Sequence, residues 1–308
     1  MAYPVATTPF AGATPNPAYA GIFIPTLWSG KLLEKFYNAT VLAAISNTDY
    51  EGEIRNQGDT VKIRSRPTIT IDDYQADQAL TVRRPSSNVI DLTINKGKYF
   101  NLALDDVMEI QSDLDLLSMW AEDAAEQMKI AVDTDVLTTL DTSTDIAAEN
   151  QGGTAGKISG DIDLDRAVTP DDVVDYIVDC GQVLDEQNIP ETGRWMVIPA
   201  WAASMIKKSD LKDASITGDG TSIARNGRLG MIDRFTLYLS NLLPTDTGVT
   251  TIYFGVNAAL TFASQFTKME TLRSEQSFAT LVRGLQVYGF RCVNGVAMGR
   301  GKISKAAP

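Results

Sequence analysis

TVKIRSRPTITIDDYQADQALTVRRPSSNVIDLTIN, residues 60–95, is the stretch on which the fold turns. Its opening alternates, with Val61 and Ile63 on one side and Lys62, Arg64 and Arg66 on the other. Its close alternates too, with Ile90, Leu92 and Ile94 against Asp91 and Thr93. Period-two alternation predicts two β-strands, each with one thin apolar face. Between them, residues 67–86 carry Asp72, Asp73, Asp77, Arg83 and Arg84 and offer almost nothing to a core. A two-stranded hairpin is marginal in water, so this one needs support from elsewhere.

The rest of the chain can supply a core. Of its 308 residues 44% are hydrophobic and 21% charged, the range of an ordinary folded protein. The formal net charge of −12 argues against nucleic acid or an anionic membrane as the main attractive partner. There is no histidine, which removes Ser-His-Asp and Cys-His catalysis and every His-ligated metal. Cys180 and Cys292 form no CxxC and read as reduced thiols of a cytoplasm. Cys180 shares a helical face with Val173, Ile177 and Leu184, where a buried thiol is expected. No apolar run is long enough to span a bilayer, and the Pro- and Ala-rich start MAYPVATTPFAGATPNPAYAGIFIP is no signal peptide. It reads as an extended arm held by something outside itself.

Along the chain, a helix is expected from about Leu27 to Ala44, with Leu32, Leu33, Phe36 and Tyr37 on one side. After the hairpin, Ser112 with Asp115 resembles a capping box. It opens a long helix whose apolar positions, from Leu114 and Leu117 to Ala131 and Val132, continue to about Leu140. ENQGGTAGKISG, residues 149–160, reads as a Gly-rich linker and the best domain boundary. Thr169, Pro170 and Asp172 mark the next helix start. A buried strand Trp195–Ile198 and a short helix near Ala200–Lys207 follow. A polar loop covers residues 218–230, then comes a strand from Arg234 to Ser240. Mostly strands run from Thr251 to Ser304, including a long one near Phe278–Val293.

Chemical motifs are scarce. No glycine precedes a GK pair at phosphate-loop spacing, and no GxGxxG follows a strand. Asp161, Asp163 and Asp165 stand at calcium-loop spacing, but Arg166 and Asp172 fall where that loop needs Gly and Glu. The adjacent pairs Asp105–Asp106 and Asp171–Asp172 diverge on a helix or strand, which suits surface or helix-end duties. No catalytic, cofactor or metal residue is assigned. The basic group Lys62, Arg64, Arg66, Arg83 and Arg84 fits a solvated edge, a nucleic-acid contact or docking onto an acidic surface of another copy. The acidity of the whole favours the last. Hairpin and arm would both be explained if neighbouring copies supplied the missing surface.

The order of elements resembles the major capsid proteins of tailed bacteriophages with the Hong Kong 97 shell fold. RWMVIPAWAASMIKK (194–208), NGRLGMIDRFTLYLSNLLP (226–244) and LVRGLQVYGFRCVNGVAMGRG (281–301) look like segments of podovirus-type coat proteins. The resemblance implies an α+β chain with an N-terminal arm and helix (1–48) and an extended loop (49–98). A peripheral domain with a spine helix (99–148), an axial domain (149–266) and strands returning to the peripheral domain (267–308) complete it. It implies a non-enzymatic structural protein that self-assembles, as pentamers and hexamers, into an icosahedral shell around the phage genome. Its site residues would be the inter-subunit contacts of the loop: Lys62, Arg64, Arg66, Asp72, Asp73, Asp77, Arg83 and Arg84. No cofactor is expected. Implied partners are copies of itself, a separate scaffolding protein, a portal, a decoration protein and double-stranded DNA lying nearby without sequence-specific contact; no membrane is involved. Implied location is the virion capsid, after assembly in the host cytoplasm. The loop tip, residues 67–86, has no lysine to match the one that cross-links the founding member of the family. Three rival readings are an encapsulin-type nanocompartment shell, a carboxylate-only enzyme and a tail-tube or connector protein.

Overall fold

The structure, a computed structural model, describes residues 37–49, 60–67, 69–87, 89–111, 115–209, 230–275 and 277–306. The expected arm, most of the helix expected from Leu27, and most of the polar loop at 218–230 lie outside these residues. Where the expected first helix is described, residues 37–41 are not helical, and α1 covers only Leu42–Ile45.

The expected hairpin is present. β1 (Thr60–Arg64) pairs antiparallel with β2 (Val89–Thr93), with Val61 opposite Leu92 and Ile63 opposite Ile90. What supports it is its own chain. β2 leads into β3 (Lys96–Asp105), which pairs with β11 (Ala279–Cys292), and β11 pairs with β10 (Leu260–Arg273). Buried Ile63, Leu92 and Ile94 close a small cluster with Ala263 of β10, and Val287 of β11 packs against it. The approach is tight enough to require a glycine. A Cβ on Gly289 would stand 2.2 Å from the Thr93 carbonyl oxygen, a backbone atom that cannot swing away.

After β3, a short helix α2 (Asp106–Gln111) precedes the long helix α3 (Leu116–Asp141). At 1.5 Å per residue α3 is ~39 Å long. Its cap differs from the expected box: Asp115 is itself the N-cap and accepts the Ser118 N–H at 3.2 Å. Ser112 lies outside the described residues. Only the last third of α3 is deeply buried, through Val132, Asp133, Val136, Leu137 and Leu140.

The main sheet gathers β4 (Ala167–Val168), β5 (Arg194–Ile198), β6 (Met231–Ile232), β7 (Phe235–Leu239), β9 (Val249–Val256) and β12 (Met298–Lys305) in the order β4-β12-β9-β5-β7-β6. β8 (Thr245–Asp246) pairs β9 from the side. α4 (Asp172–Glu186) opens on the predicted box, with the Thr169 hydroxyl donating to Asp172 and accepting the Asp172 N–H. Val173, Ile177, Cys180 and Leu184 are all buried, as their spacing predicts. α5 (Ala200–Ile206) follows β5, whose five residues are all buried.

One expectation changes here. Residues 149–160 are not a loose linker. Fully buried Asn150 donates its amide to the carbonyls of Val296 and Met298, and Glu186 of α4 holds the N–H groups of Ile158 and Ser159. The acidic run does turn and register work. Asp163 accepts the Asp165 N–H, and Asp165 accepts the Lys302 N–H of β12.

Candidate inter-subunit surface

The loop divides at about Arg64. Below that residue the strands are anchored to the sheet. Beyond it the described residues form no strand and turn at Ala76–Asp77, where Asp77 takes φ 64°. The eight site residues expected from sequence are all exposed, and the structure separates them into three sets. Lys62 and Arg64 lie on β1, with Lys62 opposite Asp91. Arg66, Asp72, Arg83 and Arg84 line one open cleft between the two limbs of the loop. Asp73 and Asp77 stand near the turn, away from that cleft. Arg83 is therefore not simply a cation awaiting another subunit: its guanidinium pairs with Asp72 at 3.0 Å within its own loop. Arg84 has no ion pair among the described residues.

Reading the tip as lacking core-forming residues misses its apolar side chains. Ile69, Ile71, Tyr74, Leu80 and Val82 are all exposed, Ile71 by 87% and Val82 by 89%. The signal was in the sequence, as the spacing of Ile69 with Ile71 and of Leu80 with Val82, but charge dominates the composition around them. Single exposed apolar residues are ordinary; a run of them on one projecting loop marks an interaction surface.

The body offers further exposed apolar area. The amino-terminal half of α3 is only half-buried, and Trp120, Ala124, Met128 and Ala131 form a groove with Tyr99, Phe100 and Leu102 of β3. Glu122, Asp123 and Glu126 also belong to this half of α3, and their charge raises the Tyr37 phenol after the hydrogen bond it donates to Asp123. At the far end of the β10–β11 hairpin, Phe278, Val107 and Ile110 are exposed beside the Arg273–Asp106 ion pair. A polar anchor ties these parts together. Lys96 donates to Asp135 and Thr139 of α3 and lies 4.7 Å from the Phe290 ring centre, and Tyr288 also donates to Asp135. Burial would raise the Asp135 carboxyl, but Lys96 and Tyr288 outweigh it and hold it low.

Both thiols and most of the clustered acids of the described residues serve structure. Burial pushes the Cys180 thiol far up and Cys292 up to about 12, so neither is a thiolate at neutral pH. The cleft bearing Asp172, Asp175 and Asp179 is built from helix-end and ion-pair duties, with Asp172 on Thr169 and Asp179 on Arg166 at 2.7 Å. Among the described residues no three acidic or thiol side chains gather where a metal ion could be held.

A projecting loop, a long helix, a three-stranded sheet and a larger mixed sheet define the Hong Kong 97-like shell fold. Solved structures agree. The chain is similar to one from Mycobacterium phage Che8, at 26% identity and TM-score 0.75, covering 91% of this chain and 97% of that one. It is similar to the capsid structure of the cyanophage P-SCSP1u, at 14% identity and TM-score 0.70, covering 93% and 94%. It is also similar to a chain of the bacteriophage PhiM1 mature capsid, at 13% identity and TM-score 0.69, covering 98% and 100%. No curated protein sequence matches it. The sequence model of the phage capsid protein family matches residues 89–301, and the chain belongs to that family. It is a structural shell protein, a major capsid protein of a tailed bacteriophage, and its place is the virion capsid. An enclosing shell for an enzyme and a carboxylate-only enzyme are not favoured.

Proposed function

We propose that copies of this chain assemble as pentamers and hexamers into an icosahedral container for double-stranded DNA, with the loop at residues 49–98 strapping one copy to the next. The observation that carries the strap is the loop itself: an anchored base, and a tip whose apolar residues find no cover among the described residues. Shell proteins gain most from such a division, because the anchored base keeps the monomer soluble while the tip gains its burial only on assembly. The remaining parts keep the roles the resemblance implies: spine helix and peripheral domain in 99–148, axial domain in 149–266, returning strands in 267–308. No catalysis is assigned. A separate scaffolding protein and a portal join in the host cytoplasm.

Negative-stain images of the purified protein, with the nucleic acid content of the particles, test this. Closed icosahedral particles that form in the full virion context and contain double-stranded DNA are expected. Tubes, or closed particles filled with an enzyme, would reject it. With no lysine in the loop tip, shells boiled in detergent without reductant should run as single chains; a ladder of covalent oligomers would overturn the non-covalent strap.

A further inference from the structure

Asp133 is the charged group that shell geometry alone does not explain. It sits in the buried stretch of α3, with 4% of its surface exposed. Its Oδ2 accepts the Val41 N–H at 2.6 Å and the Leu42 N–H at 3.3 Å. It thereby caps α1 from a different element, since no side chain at Val41 does so. Among the described residues no cation pairs with it. The charged groups of the elements around it are engaged elsewhere: Lys129 with Glu126, Lys96 with Asp135, Arg291 with Asp145, and the Tyr37 phenol with Asp123. A buried carboxylate held only by N–H groups is costly when ionised.

The segment it grips is a tie between two parts of the body. Past α1, the Asn47 N–H donates to the Leu260 carbonyl and the Phe262 N–H donates to the Asn47 carbonyl, joining this segment to β10. Its other end is fixed to α3 through Asp133.

We propose that Asp133 is a proton-governed latch that holds residues 41–46 on α3, firm when protonated and weakened when ionised. The direction follows from where the carboxyl sits. Burial raises it above its ordinary value of 3.8, and the Val41 and Leu42 N–H groups only partly pull it back. An opened latch returns the group to water and to that ordinary value. The closed form therefore holds the proton more tightly than the open form. Closure is most favourable below the ordinary carboxylate value and weakens as pH rises through the raised one. Acid tightens the latch and neutral pH loosens it, while the burial of Val41, Leu42 and Ile45 against Val132 and Val136 holds the segment across that window, so the change is a local opening.

Amide hydrogen exchange on the full-length unassembled subunit tests this, with protection corrected for the intrinsic pH dependence of exchange. In the wild type, protection at Val41 and Leu42 should fall as pH rises from about 4 to 8, roughly tenfold for each unit by which burial raises the carboxyl. Asp133→Asn keeps an acceptor without the charge, and its protection should stay high and flat with pH. Asp133→Ala should lose protection at every pH, while the amides of Val136 and Leu137 stay protected in all three. Wild-type protection that is flat or rises with pH overturns the latch, whether or not the variants fold. So does an Asn variant that exchanges as fast as the Ala variant.

Discussion

Leu92→Ala tests whether the hairpin base is a separately breakable unit. Leu92 is fully buried, and its side chain fills the small cluster with Ile63, Ile94 and Ala263 rather than the main core. Removing three buried carbons costs about 2.4 kcal/mol at about 0.8 kcal/mol per carbon. The cavity left behind brings the expected loss to about 2.5–4 kcal/mol. The main core around Trp195, Met196 and Phe254 has no side chain in that cluster. The loss should therefore fall on the hairpin as local opening instead of on global stability. Hydrogen exchange by mass spectrometry should show residues 60–64 and 89–93 exchanging about a hundredfold faster or more, at about 1.4 kcal/mol per tenfold, while β5 and β9 stay protected. Assembly followed by sedimentation should fail or yield irregular particles, because the strap is no longer aimed. Val89→Ala, on the half-exposed face of the same strand, should change stability by no more than about 0.5 kcal/mol. If Leu92→Ala melts the large sheet together with the hairpin, or leaves hairpin protection and assembly intact, the division between base and body is wrong.

Arg83→Glu with Arg84→Glu should leave the thermal melt of the subunit within about 1 kcal/mol of wild type, since the one exposed ion pair lost is worth ~0–1 kcal/mol, yet block assembly through repulsion repeated at every copy; normal shells would remove both arginines from the interface. Ile71→Asp with Val82→Asp should do the same through the apolar side of the tip, and normal assembly of this variant would show that the tip's exposed residues are not covered in the shell. Glu186 gives an acid-side prediction. Burial raises its carboxyl, but the N–H of Ile158, the Gln182 amide and the N–H of Ser159 outweigh that and hold it at about 2. Its grip on residues 158–159 is complete above its ordinary value of 4.5 and lost as pH falls toward 2; exchange at those amides should rise over that window, and a flat profile would refute the clamp. Arg194→Leu should destabilise the subunit by about 3 kcal/mol or more in a denaturant melt, because its buried guanidinium serves the carbonyls of Pro190 and Ile189 and the carboxylate of Asp185.

What was legible in the sequence was whatever one element decides alone. The alternation of Val61, Ile63, Ile90 and Leu92 gave both hairpin strands and their inner face, and the structure pairs those residues across the ladder. Thr169 and Asp172 gave a helix start, and Val173 to Leu184 gave its buried side. What was not legible depends on a second element. Residues 37–41 lose their helix because Asp133, ninety residues on, takes the N–H groups of Val41 and Leu42. Asp115 itself caps α3, because a carboxylate there reaches the Ser118 N–H directly. At the candidate interface all eight polar residues are exposed. The Arg83–Asp72 pair could not be foreseen, since it depends on how the two limbs of the loop come together.

The three-stranded sheet has a consequence for how the chain is made. β3 ends at residue 105, and its partner strand β11 is complete only at residue 292. At cellular synthesis speeds the ribosome needs on the order of 10–40 s to cover that interval. Until then the exposed tip, β3 and the whole of α3 are outside the ribosome with no sheet to fold onto, and pairing across so long a sequence separation is slow once it becomes possible. The apolar loop tip, proposed above to join copies, therefore leaves the ribosome well before the sheet that anchors its base. The tip is thus exposed for most of the time the chain is being made, before the three-stranded sheet that anchors its base is complete.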